Sequence, residues 1–271
     1  MLELAALLVR VLLVLVVVHH AATYLLWAYE ERRYGPARRP RQLPATVMAW
    51  CGEVLAHFVA LLGWPFGLLP ERERDSAGYT GIPIVLVHGW GMNRASMAML
   101  AARLRKDGRR VFRVNYPSTG PDTGVKAEHV ARFMRNVLER TGAERIDVVG
   151  HSLGGVVSRA VARHHGGMDF MGALVTLGSP HRGSALVDAL RWARTRQLRP
   201  GSNYLTTLAD DDPVPGRVRV TAIYSLFDAI VFPAANAEYD GAVNVSVDYV
   251  GHMSLVLSSR VYGLVKEALE S

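Results

Sequence analysis

The sequence predicts an α/β architecture: a mostly parallel sheet with flanking helices, preceded by an N-terminal apolar helical hairpin. Three observations carry this. Two long apolar stretches fill most of the first seventy residues. From about residue 71, short β-branched runs alternate with helical ones, the pattern of strands joined by helical crossovers. The chain has 271 residues, 50% of them hydrophobic, which suffices for one well-filled domain plus an appendage. The expected division is a membrane-associated helical segment over 1–70 and the α/β domain over 71–271.

The first stretch, Leu4 to Trp27, is long enough to cross a bilayer as a helix, interrupted only by Arg10, His19 and His20. Arg10 lies near one end and can snorkel outward. The start, MLEL, lacks the basic region of a cleaved signal peptide, so an uncleaved anchor is expected. The segment 30–44 follows, with five Arg in a Pro-broken loop. The second stretch, 46–69, contains Glu53 and His57, four apart and so on one helical face. A Glu near mid-bilayer costs roughly 2.5–3.5 kcal/mol. This segment is therefore read either as a second span or as an amphipathic helix lying on the membrane or on the domain. Glu53, His57, His19 and His20 are read as a paired polar face between the two helices, not as a metal site.

The formal charge of +7 comes from 28 Arg and 3 Lys scattered along the chain. No basic stripe forms, so a solvated basic surface is expected and no nucleic-acid partner. The single cysteine, Cys51, cannot form an internal disulfide and is expected to be a small packing residue.

Predicted strands are 83–87, 111–115, 146–150, 173–178, 218–224 and 243–247. The stretch after Asp122 places Val130, Phe133, Met134, Val137 and Leu138 on one helical face. The C-terminal stretch does the same with Val261, Leu264, Val265 and Leu269.

Gly150-His151-Ser152-Leu153-Gly154 fits G-x-S-x-G. The pattern alone is weak, but a buried-strand run precedes it and a helical run follows, which is the setting of a nucleophile elbow. The turn is so tight that the residues two before and two after the serine must lack side chains. The following helix aims its N-terminal dipole at the reaction centre. A tetrahedral intermediate needs two N–H donors. Leu153 is nominated for one. Trp90, between glycines in His88-Gly89-Trp90-Gly91 after the first strand, is nominated for the other. His88 is read as a structural hydrogen-bonder.

A nucleophilic serine needs a base, and the base an orienting carboxylate, in the chain order Ser, Asp, His. His252 lies between the last strand and the last helix and is the expected base. His164 and His165 fall in the helix after the elbow, and no acid-bearing strand end precedes His181. Asp228 ends the strand over 218–224 and is the expected acid; Asp240 reads as a turn residue. Asp210-Asp211-Asp212 reads as a solvated loop.

Together PIVLVHGWG, VVGHSLGG, VTLGSPHRGS, LRPGSNYL, IYSLFDAIVFP, DGAVNVSV and VGHMSL resemble the bacterial triacylglycerol lipases and esterases across residues 80–270, in the correct order. The small lid-poor lipases of the Bacillus type are similar in domain size. The resemblance implies an α/β-hydrolase fold, carboxylic-ester hydrolysis without a cofactor, catalytic Ser152, Asp228 and His252, and an oxyanion hole from Trp90 and Leu153. The sequence departs from the small secreted lipases in its apolar first seventy residues and in the bulk of Trp90. The expected substrate is an acylglycerol or another lipid ester, with residues 117–124 and 181–215 walling the site. ALVDALRWAR, 185–194, is a candidate cap. Phospholipase, thioesterase and acyltransferase readings share the same triad; a non-catalytic membrane scaffold is the rival from another class. Arg-rich loops tend to stay cytoplasmic. The two-span hairpin is the expected form, and it puts the domain on the non-cytoplasmic side of a bacterial inner membrane; a single span would leave it cytoplasmic.

Overall fold

The computed structural model describes residues 2–34, 42–69, 80–120, 122–190 and 193–271. The expected domain boundary at 70/71, most of the Arg-rich loop and part of the candidate cap lie outside the described residues.

Six strands, β1 (Thr80–Val87), β2 (Arg109–Arg113), β3 (Ile146–His151), β4 (Met171–Leu177), β5 (Arg219–Ser225) and β6 (Val243–Val247), form one sheet in the order β2-β1-β3-β4-β5-β6. Every neighbouring pair is parallel. Each predicted strand is present. β3 and β4 are buried at every position, as expected of central parallel strands covered on both faces. The chain moves from β1 to one side for β2 and then to the other for β3. That reversal opens a crevice at the C-terminal strand ends, where Val87 is in register with Gly150.

Among the described residues, ten α-helices accompany the sheet: α1 (Leu2–Tyr34), α2 (Leu43–Gly63), α3 (Ala98–Lys106), α4 (Thr123–Thr141), α5 (Leu153–His164), α6 (Gly167–Phe170), α7 (Ala185–Leu190), α8 (Asn203–Ala209), α9 (Val214–Arg217) and α10 (Ser259–Glu270). Asp122 caps α4 by accepting from the N–H groups of Gly124 and Val125, and Gly142 closes it in the left-handed region. The predicted face of α4 points inward, with Val130, Met134 and Val137 fully buried in one hydrophobic core. Val261, Val265 and Leu269 of α10 join a second core on the other side of the sheet.

Two described helices are long and apolar enough to cross a membrane, Ala6–Tyr29 and Leu43–Leu68. They meet the domain differently. α2 and the 3-10 turn after it lie against the domain from end to end. The Gln42 N–H donates to the Tyr249 hydroxyl at 3.2 Å, ahead of the helix. Beyond it, Asn93 and Asn115 donate to the carbonyls of Trp64 and Gly67, each at 2.7 Å. α1 docks only its second half. Val16, His20, Thr23 and Trp27 are buried, a spacing that draws one stripe along the helix. Tyr24 donates its hydroxyl to the Phe227 carbonyl at 3.1 Å, and the Trp27 ring meets Phe227 edge-on. Ahead of Val16 the helix stands clear of the domain, with Leu4, Leu7, Leu8 and Leu15 exposed.

Two local expectations are corrected. Cys51 is exposed, because the inward side of α2 is taken by Ala49, Glu53, Val54 and Ala56. The Asp210–Asp212 run is not all solvated: Asp210 and Asp211 are exposed, but Asp212 accepts from Arg159 Nε and from the Tyr239 hydroxyl, both at 2.8 Å.

Candidate active site

β3 ends in the G-x-S-x-G turn, and Ser152 takes φ 55° and ψ −125°, a conformation rare for a residue with a side chain. Both flanking glycines are required. A Cβ on Gly150 would lie 2.6 Å from the Gly155 backbone, and one on Gly154 would strike the carbonyls of Val87 and His88. The loop after β1 passes close by: a Cβ on Gly89 would come within 3.0 Å of the Ser152 Cβ. Leu153 opens α5, so the helix N-terminus adjoins the serine.

Asp228 and His252 are brought together across 24 residues. His252 Nδ1 donates to Asp228 Oδ2 at 2.7 Å, and both side chains are buried. Asp228 Oδ1 accepts from the N–H groups of Ile230 and Val231 at 2.8 and 2.9 Å, which fixes the carboxylate independently of the imidazole. Burial opposes a charge on His252. The Asp228 carboxylate, its hydrogen bond and the nearby Glu53 carboxylate outweigh that and raise the pKa above its ordinary 6.5. His151 Nε2 donates to the His252 carbonyl at 3.0 Å. Burial, then the neighbouring His252, hold His151 down at about 3, so it stays neutral.

Ser152 and His252 line one cavity of about 350 Å³, with no hydrogen bond between them among the described residues. Its walls are mostly apolar and include Trp90, Leu186, Val187, Leu190, Leu198 and Ile230. The expected wall is therefore half right. Residues of 181–215 contribute, whereas the described residues of 117–124 do not. The hairpin supplies what was not expected: His19, His20, His57 and Leu61 line the same cavity.

The other candidates separate clearly. Asp240 is exposed and pairs with Arg182. His181 pairs with Thr176 Oγ1 at 3.0 Å, and burial lowers its pKa well below 6.5. His88 donates to the Gly89 carbonyl at 3.0 Å and stacks on Tyr116, and burial holds it down at about 4. His164 is exposed and His165 only partly buried.

Sequence reasoning also placed Glu53 wrongly. It does not pair with His57. Its carboxylate is buried and accepts from the N–H groups of Met253 and Ser254 at 2.7 and 2.8 Å, the two residues after His252. Gly251 makes room for it: a side chain there would collide with the carboxylate. His57 instead meets His20, Nδ1 to Nε2 at 3.0 Å. A lone carboxylate in an apolar helix was a visible signal, but its partner two hundred residues away was not.

Comparisons with known proteins identify the fold. The family model for the alpha/beta hydrolase fold matches residues 82–224. A triacylglycerol lipase of Pseudarthrobacter phenanthrenivorans is 30% identical over 122 residues, covering 42% of this chain and 38% of the lipase. A pimeloyl-[acyl-carrier protein] methyl ester esterase of Vibrio cholerae is 38% identical over 99 residues, covering 36% of this chain and 37% of the esterase. The chain thus spans less than half the length of these curated relatives. Among solved structures, the mature lipase BlEst2 of Bacillus licheniformis superimposes with a TM-score of 0.59 at 19% identity, covering 74% of this chain and 96% of that one. That likeness speaks to the fold. With more than half of its length matched by the family model, the chain belongs to the α/β-hydrolase fold family, and its relatives there include lipases and esterases.

Proposed function

We propose that this protein is a serine carboxylic-ester hydrolase of the lipase/esterase type, acting on lipid esters at a membrane. The observation that carries the reading is the buried His252–Asp228 pair, 2.7 Å apart, facing the same apolar cavity as a serine held in a strained turn. In this reading Ser152 Oγ attacks the ester carbonyl while His252 Nε2 takes its proton. Asp228 holds the imidazole in the required tautomer and stabilises the imidazolium. The N–H groups of Leu153 and Trp90 receive the oxyanion. His252 then protonates the departing alcohol, and water releases the acyl group by the same route. The relatives named above are named for ester substrates, and the apolar cavity suits an acyl chain.

The membrane part rests on the hairpin. The free portion of α1 ahead of Val16 rises about 20 Å, less than the hydrocarbon core of about 30 Å. It therefore cannot hold the domain clear of the lipid. The domain lies against the membrane surface, with the exposed apolar sides of α1 and α2 in the lipid.

The test is hydrolysis of p-nitrophenyl esters of graded chain length by the full chain in detergent micelles, with Ser152→Ala beside it. The reading expects cleavage that favours longer acyl chains and is abolished in the variant. Equal rates for wild type and variant overturn it, and so does inactivity of both.

A further inference from the structure

We infer that His19, His20 and His57 form a binding site for a divalent transition-metal ion, best suited to Zn²⁺, in the wall of the cavity that holds Ser152. The three imidazoles come from two helices that are otherwise apolar enough to be membrane spans. Ionisable side chains in such segments are costly and are kept where they face a cavity and do something there. These three do face one.

Their geometry is that of a ligand set. The ring centres stand 5.1 Å apart for His19 and His20, 5.1 Å for His20 and His57, and 5.7 Å for His19 and His57. Three imidazoles on one tetrahedral Zn²⁺, with Zn–N distances of about 2.0–2.1 Å, hold their ring centres about 5 Å apart. The ring planes are steeply inclined to one another, at 69°, 73° and 86°, so no two rings stack and shut the space between them. One candidate ligand atom from each residue lies within 4.8 Å of the other two. His20 Nε2 and His57 Nδ1 share a hydrogen bond at 3.0 Å; an ion would take the place of the shared proton, with the two nitrogens about 3.3 Å apart. Three neutral imidazoles with no carboxylate select a d-block ion over Ca²⁺ or Mg²⁺. Glu53, on the same helix as His57, is not available as a fourth ligand, because it is spent on the backbone of Met253 and Ser254. The fourth position is left to water from the cavity, the open arrangement of a three-histidine zinc site.

The site stands whether or not Ser152 is a nucleophile, so its test uses metal binding and not hydrolysis. The full chain, purified in detergent without a histidine tag and stripped with a chelator, is dialysed against Zn²⁺ and assayed for bound metal. The same protein is titrated with Co²⁺ and followed by visible absorption. About one Zn²⁺ per chain and the intense absorption of tetrahedral Co²⁺ are expected. His57→Ala should weaken binding at least tenfold. His19→Gln should do the same, and because the His19 side chain is exposed this change leaves the packing intact. Ser152→Ala should bind as wild type does. Binding well below one ion per chain, or full binding in His19→Gln, would overturn the site.

Discussion

Ser152 keeps a positive φ at an order-of-magnitude cost of about 1–3 kcal/mol, and the turn can hold it there because Gly150 and Gly154 let backbone pass where side chains would collide. That requirement is local, and so the elbow was legible from five consecutive letters. Asp228 and His252 were legible through chain order and strand ends, each signalled by its own surroundings. Two predictions belong here. Asp228→Asn retains an oxygen for the N–H groups of Ile230 and Val231 but loses the charge that faces His252. It should fold normally and lose about 10³–10⁴-fold in kcat, measured on p-nitrophenyl esters beside a thermal melt. In the proposed mechanism His252 must be neutral to accept the serine proton, and its pKa is raised. Activity should therefore climb as pH rises, with the midpoint of kcat/KM above 6.5. A midpoint at or below 6.5 would count against His252 as the base.

At the scale of elements, all six strands and the faces of α4 and α10 were readable, because period-2 and period-3.6 patterns are written in neighbouring residues. The role of α2 was not. Its sequence is apolar enough to pass for a membrane span, and only tertiary contacts reveal it as a brace beneath the loop that carries His252. Glu53 is the point of contact. Glu53→Ala would leave two buried N–H groups without an acceptor, each worth roughly 1–3 kcal/mol. The expected outcome is a lower melting temperature together with a fall in kcat, since the His252 backbone loses its support. Unchanged melting and unchanged kcat would show that the loop holds itself.

Across the whole molecule, the contacts that complete the site join residues about two hundred positions apart: Tyr24 to Phe227, Gln42 to Tyr249, and Glu53 to Met253 and Ser254. No local pattern announces such pairs, which is why the cavity wall was only half anticipated. They also yield a prediction that a self-sufficient domain would not meet. A chain beginning after residue 70 retains Ser152, Asp228 and His252, yet it lacks the Glu53 acceptor and one wall of the cavity. It should show little ester hydrolysis compared with the full chain under the same detergent conditions. Full activity in the shortened chain would overturn the view of the hairpin as part of the site.

The hairpin is thus two-sided. One surface of α1 and α2 carries His20, Trp27, Glu53 and Ala56 into the protein, and the other carries Leu7, Leu15, Met48 and Leu55 outward. Anyone wanting this protein in plain buffer should leave the helices in place and recolour their outer surface, exchanging those outward leucines and Met48 for glutamate, lysine or glutamine. Under the proposed membrane seating, lipid would lose its grip while the loop carrying His252 kept its footing.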